Sequence, residues 1–207
     1  MRVMSALGVV LLSLAAFGFF AGANAASAAD GKVLIAYFSR ADENYQVGYV
    51  EKGNTQVLAE AVAEATGGDL FHIETEKPYP KEYRATTDIA KREQNEGARP
   101  KLKNTPPDIA PYDVIFLGYP NWWGDMPMAV YTFLESYGSG AFAGKRVIPF
   151  YTAAGSGLSG TVGTIEDLCS GATVSNAFTI SGAEAQAFSE GARAKVREWL
   201  AGTGLVK

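Results

Sequence analysis

Three short stretches of this 207-residue chain carry the residue types that could grip a ligand. Ser39-Arg40, followed after a gap by Gly53-Asn54-Thr55, sets small hydrogen-bonding side chains where a helix is expected to start. The unpaired N–H groups and positive dipole end of such a helix favour an anion such as phosphate. Pro120-Asn121-Trp122-Trp123-Gly124 places two of the three tryptophans on one loop, bracketed by Pro120 and Pro127. That gives flat aromatic surface on a stiffened backbone. Thr152-Ala-Ala-Gly155-Ser156-Gly157 and the residues up to Gly160 offer backbone amides with few side chains in the way. An anion seat, a π-stacking wall and a bare peptide edge together suit a planar heterocycle with a phosphate tail.

Other chemistries find little to build on. The only histidine, His72, falls within an expected strand, and no G-x-S-x-G elbow is present, so a serine hydrolase is not indicated. One histidine and one cysteine, Cys169, give a transition metal few ligands. Gly155 to Gly160 formally matches G-x-G-x-x-G, but it follows the fourth strand, whereas the dinucleotide fingerprint follows the first.

The elements that must position these loops alternate along the chain. Lys32 to Phe38 is a continuous apolar run of the kind found in a strand covered on both faces. Thr55 to Ala65 places Val57, Leu58, Ala61, Val62 and Ala65 on one helical face, ending at Gly67-Gly68. Further strands are expected at Leu70 to Glu74, Val114 to Leu117, Arg146 to Tyr151 and Thr173 to Phe178. Helices are expected at Tyr79 to Glu96, around Val130 to Tyr137, at Thr161 to Leu168, and along a closing stripe from Phe188 to Leu200. Five strands, each followed by a helix, predict a doubly wound parallel α/β sheet, because the crossover between parallel strands is right-handed. In such a sheet the ligand crevice lies beyond the carboxyl ends of the strands, where all three loops converge.

With these pieces in order, the chain resembles the flavodoxins, and in particular the flavodoxin-like family that carries a Tyr-Pro-x-Trp-Trp loop. The matching stretches are VLIAYFSR joined to GNT, then YPKEY, ARP, YDVIFLGYPNWWGDMP and GKRVIPFYTAAGSGLSG, covering nearly all of Lys32 to Lys207. The resemblance implies a five-stranded sheet of order 2-1-3-4-5 and FMN as cofactor. It implies phosphate contacts at Ser39, Arg40, Asn54 and Thr55, and a flavin ring held by Pro120, Asn121, Trp122, Trp123 and Gly124 on one side and Thr152, Gly155, Ser156 and Gly157 on the other. The family pattern has Ser-Arg-x-Gly-Asn-Thr nearly contiguous; this chain inserts Ala41 to Lys52 there, with Tyr45 and Tyr49 able to lie over the site. Asp125, beside the tryptophans, is a candidate for disfavouring extra negative charge on a reduced flavin, with a plain loop carboxylate as the alternative. Asp167 to Thr173 resembles the D-x-x-[ST]-G-A-T signature at which a flavin transferase attaches FMN. It falls at the amino end of a strand, opposite the crevice, and reads better as a helix-ending turn at Gly171.

Met1-Arg2, the apolar run Val9 to Phe20 and Ala23-Asn24-Ala25 have the form of a cleavable export signal over residues 1–25, cleavage after Ala25 or Ala28 fitting equally well, with residues 30–207 forming one domain. A mature protein in the periplasm or outside the cell is the expectation. The formal charge of −4 does not favour nucleic acid or an anionic membrane. Expected partners are a small electron acceptor such as a quinone, for an oxidoreductase, or a redox protein, for a one-electron shuttle. An exported protein that has lost flavin and binds another aromatic ligand is a third possibility.

Overall fold

The computed structural model describes residues 31–155 and 160–206; the expected export signal, and Ser156 and Gly157 of the third loop, lie outside them. The first strand, β1 (Val33–Tyr37), is buried at all five positions. It pairs in parallel with β4 (Asp69–His72) on one side and β5 (Val114–Pro120) on the other. Beyond β5 lies β6 (Arg146–Ala153), which carries two short parallel segments on its outer edge, β7 (Thr173–Val174) and β8 (Phe178–Ser181). This is the expected 2-1-3-4-5 order with its fifth position split in two.

Alternate residues of the central strands feed two cores, as the period-two geometry of a strand requires. Val33, Ile35, Tyr37, Val114, Phe116, Ile148 and Phe150 pack against α1 (Asn54–Thr66), α5 (Gly182–Ala187) and α6 (Glu190–Thr203). Leu34, Ala36, Ile115, Leu117, Tyr119, Val147 and Tyr151 pack against α3 (Met128–Glu135) and α4 (Thr161–Leu168). A further helix, α2 (Tyr83–Glu96), buries only Thr86 and Ala90 of its own residues. The result is the doubly wound three-layer α/β fold read from the sequence.

Several boundaries differ from the sequence expectation. The fifth strand was expected as one run from Thr173 to Phe178. Ser175 N–H still reaches the Val147 carbonyl at 3.0 Å, but the chain then leaves the ladder and re-enters it at Phe178. The closing helix is divided because Phe188 takes a left-handed φ of 34° at the end of α5, after which Ser189 caps α6 by accepting from Ala192 N–H. Helix α2 starts at Tyr83 rather than Tyr79, since the Pro80 carbonyl is taken by Thr86 Oγ1 and the Arg40 guanidinium. Strands β5 and β6 run on to Pro120 and Ala153, carrying the second and third loops further along the sheet than expected. The insert folds into a hairpin of its own, β2 (Asp42–Asn44) against β3 (Gly48–Val50). Gly171 takes the left-handed φ of 85° required of a helix-ending turn, and Thr173 pairs with Arg146 at the amino end of β6.

Candidate functional site

The carboxyl ends of β1, β5 and β6 open into one cleft lined by residues of the first two loops, the β6 end, the hairpin and α2. Its inner part is built from small residues held tightly. Ser39 Oγ accepts from Gln56 N–H at 3.0 Å, joining the end of β1 to the first turn of α1 across the whole insert. Gly53 sits in that junction, where an added Cβ would lie 2.3 Å from Ser39 Oγ and 2.5 Å from the Arg40 carbonyl oxygen. Only glycine fits. The Thr55 hydroxyl is buried against the Thr152 hydroxyl at 2.9 Å, so the helix start is locked to the end of β6. Val57 N–H is met by the Gly53 carbonyl, and among the described residues no acceptor meets Asn54 or Thr55 N–H. These are the orphan donors of a helix start, beside the Asn54 amide, whose Oδ1 accepts from Gln186 Nε2 at 2.9 Å. Gly182, at the start of α5, leaves room for Asn54 Nδ2, which a Cβ there would meet at 2.4 Å.

The tryptophan loop is a tight turn. Trp122 and Asp125 exchange backbone hydrogen bonds of 2.9 and 3.1 Å, and the two residues between them, Trp123 and Gly124, have φ of 56° and 81°. Two positive φ values in a two-residue turn give the type I′ geometry that normally selects asparagine or glycine. Asn121 Oδ1 accepts from Gly124 N–H, and Asn121 N–H donates to the Thr152 carbonyl at 2.8 Å, tying the turn to β6. Asp125 belongs to the same scaffold: its carboxylate accepts from Met126 N–H and from the Tyr131 hydroxyl at 3.0 Å.

The two tryptophans do different work. Trp122 is half-buried, edge-on to Phe38 and Tyr79 with ring centroids 5.2 and 5.1 Å away, and packs on the core. Trp123 is 54 % exposed and reaches across to α2, donating from Nε1 to the Thr87 carbonyl at 3.0 Å, with the Lys91 ammonium 5.4 Å over its ring. A bulky residue at positive φ is an outlier worth about 1–2 kcal/mol. A tryptophan held there is kept for what its ring meets.

The cleft is lined almost wholly by neutral residues. Arg40 is the one charged residue among those lining it, and its guanidinium donates to the Ala41, Glu43, Pro80 and Lys81 carbonyls, pinning the insert to the loop before α2. Burial lowers its pKa, opposed by Asp42, Glu43 and Glu82. Burial pushes the phenols of Tyr37 and Tyr119 up to about 12, and that of Tyr131 likewise, there with Asp125 adding to the effect. Cys169, under α4, is raised by burial to about 12 and has no thiolate to offer. His72 stacks on Tyr37 at 4.7 Å and meets the Ser39 carbonyl at 3.1 Å, a partnered strand residue. Among the described residues no cluster could hold a metal ion.

A flavodoxin profile matches residues 32–200. The chain belongs to the flavodoxin family. No curated protein matches it. Among solved structures it is similar to two proteins assigned as flavoproteins. One, from Bacteroides uniformis, is 29% identical, covers 82% of this chain and 97% of that one, and has a TM-score of 0.61. The other, from Bacteroides eggerthii, is 28% identical, covers 77% and 96%, and has a TM-score of 0.59. A Lactobacillus acidophilus flavoprotein solved in complex with FMN shares the fold at 23% identity, covering 77% and 99% with a TM-score of 0.55.

Of the residues expected at the site, Arg40, Asn54, Pro120, Asn121, Trp122, Trp123 and Thr152 line the cleft. Ser39, Thr55 and Gly124 stand behind it as bracing, and Gly155 takes a φ of 89° at the start of its loop. The cleft also takes in residues that sequence reasoning passed over: Asn44 and Gln46 of the hairpin, Tyr83, Thr86, Thr87 and Ala90 of α2, and Gly182 and Ala183. The i, i+3, i+4, i+7 spacing of the α2 set was the available signal. Of the two insert tyrosines, Tyr45 lines the cleft, while Tyr49 is 66 % exposed.

Proposed function

We propose that this chain is an FMN-dependent redox protein, working outside the cytoplasm and passing electrons to a small organic acceptor. The observation that carries the reading is the single cleft joining the α1 start and the end of β6 to the tryptophan turn. Its residues fit a flavin mononucleotide. The unmet N–H groups of Asn54 and Thr55, with the Asn54 amide, would hold the phosphate at a helix start. Pro120 to Trp122, facing Thr152 to Ala154, would flank the ring with apolar surface and peptide. The Lactobacillus acidophilus flavoprotein, crystallised with FMN, has the same fold. When bound, FMN supplies one- and two-electron transfer.

The chain's own part is to position and to exclude water. The Thr55–Thr152 pair fixes the helix start against the sheet, and Trp122, wedged on Phe38 and Tyr79, gives the turn a rigid base. The hairpin, whose Tyr45 lines the cleft and stacks on Tyr83, narrows it towards a small acceptor rather than direct docking of another redox protein. Export rests on the residue pattern of the first 25 positions.

The test is to add FMN to the purified protein, follow the visible spectrum, and titrate with reductant. Uptake at micromolar FMN, with reduction in one two-electron step, is the expected outcome; two resolved one-electron steps point to the shuttle. No uptake removes the redox reading. Cell fractionation with intact mass of the mature chain tests export, which a product retaining residues 1–25 in the cytoplasm would contradict.

A further inference from the structure

We propose that Thr173 is a covalent flavin attachment site, its hydroxyl esterified by the phosphate of FMN at the end of the sheet opposite the cleft. The signature D-x-x-[ST]-G-A-T is met at every specified position, by Asp167, Ser170, Gly171, Ala172 and Thr173. The helix-ending turn accounts for only part of this stretch. Cys169 is buried, Leu168 and Ala172 pack on the core, and Gly171 takes its left-handed φ where an added Cβ would lie 3.1 Å from Ala143 Cα. Asp167, Ser170 and Thr173 do none of this. All three are exposed, and among the described residues none of their side chains makes a hydrogen bond or an ion pair. The polar side chains that the turn does not use are those that a flavin transferase reads.

Two features of the surroundings suit the modification. In the parallel register Thr173 stands beside Arg146 and Val174 beside Val147. Val174 packs on the core that α4 covers, so Thr173 faces the other side of the sheet with Arg146 next to it, one strand spacing of about 4.8 Å away. The Arg146 guanidinium donates to the Thr203 carbonyl at 2.9 Å and, among the described residues, meets no carboxylate, so its charge is open to a phosphodiester. The second feature is access. Thr173 and Ser175 both turn their N–H groups inward, to the Lys145 and Val147 carbonyls, and β7 ends the strand order, so Val174 turns its own backbone groups to an open edge. An open edge is where an enzyme can take hold of an extended segment.

The donor is FAD. The Thr173 oxygen attacks the phosphorus on the riboflavin side of the pyrophosphate, the new O–P bond replaces the bridging one, AMP leaves with the bridging oxygen, and the hydroxyl proton passes to solvent. No electron changes hands. The run of β6 from Arg146 to Thr152, at about 3.3 Å per residue, sets the attachment point roughly 20 Å from the cleft. A tethered flavin therefore does not compete for the cleft, and the site stands whether or not the cleft takes up FMN.

The experiment incubates the purified chain with a bacterial flavin transferase, FAD and magnesium, then denatures it, which strips any flavin held without a bond. Intact mass and in-gel flavin fluorescence are expected to show one esterified FMN per chain, mapped to Thr173 by peptide fragmentation. Thr173→Val keeps the β-branched shape suited to a strand and should abolish the label while melting as wild type does. Asp167→Ala, on the exposed end of α4, should slow labelling at least tenfold. An unlabelled wild type, in a mixture where the transferase labels its own substrate, overturns the proposal. So does label that survives Thr173→Val, or labelling of Asp167→Ala at the wild-type rate.

Discussion

The inner and outer parts of the cleft are made in opposite ways. Inside, Ser39, Gly53, Thr55, Thr152 and Trp122 are small or wedged and satisfied by one another, so the shape follows from packing. Outside, Tyr45, Tyr83 and Trp123 stand on a short hairpin, a helix with little buried surface and a strained turn. The inner part admits almost no change without harm to the fold; the outer part can vary with little loss of stability. That division is expected where one ligand is held permanently and another must come and go.

The sharpest way to break the contrast is Gly53→Ala. A Cβ there meets an immobile hydroxyl and backbone, so α1 must shift, costing about 2–3 kcal/mol and removing FMN uptake by over a hundredfold. Denaturant unfolding and flavin titration check both; an unperturbed variant would mean the inner part is softer than argued. Trp122→Ala should cost about 2–3 kcal/mol through lost packing on Phe38 and Tyr79. If stability is unaffected, Trp122 is not the base of the turn.

Thr55→Val strands the Thr152 hydroxyl in the core and should cost about 1–3 kcal/mol, with the Thr55→Val/Thr152→Val pair recovering much of it. Additive losses would deny the coupling.

Acid provides a gentler probe. Glu184 is held down to about 2 by Lys195 and then by the Ser181 backbone and hydroxyl, completing the cap of α5 beside Asn54. Because its folded pKa lies below the ordinary 4.5, its contribution is complete above 4.5 and is lost as pH falls towards 2. Glu184→Gln should flatten that part of the stability profile between pH 5 and 2; an identical profile removes Glu184 as the cause. The smallest effect belongs to Trp123→Asn. Relief of the left-handed backbone offsets the lost Thr87 bond, leaving Tm within about 3 °C of wild type. A large drop would make Trp123 structural.

The same division governs what could be read from the residues alone. The sheet was legible because β1, β5 and β6 are largely apolar runs, and the anion seat because Gly-Asn-Thr marks a helix start. The hairpin was not. Asp42 to Asn44 and Gly48 to Val50 show no alternation of apolar and polar residues, and their anchors, Pro80 to Tyr83, lie about forty positions on. Nor could adjacent tryptophans be told apart, since Phe38 and Tyr79 claim one and Thr87 the other, all distant in sequence. Asp125 could be read either as a modulator of charge at the ring or as a plain loop carboxylate; its hydrogen bonds to Met126 N–H and the Tyr131 hydroxyl, which help shape the turn, could not be seen in the sequence.

The insert leaves the chain after Arg40 and returns at Gly53, where Ser39 and the α1 start are already in contact. Its two ends are thus neighbours whether or not the excursion between them exists. A visor mounted on such a closed ring can be lengthened, shortened or exchanged for another without disturbing the sheet beneath, which makes Ala41 to Lys52 the natural cassette for retuning what this protein admits.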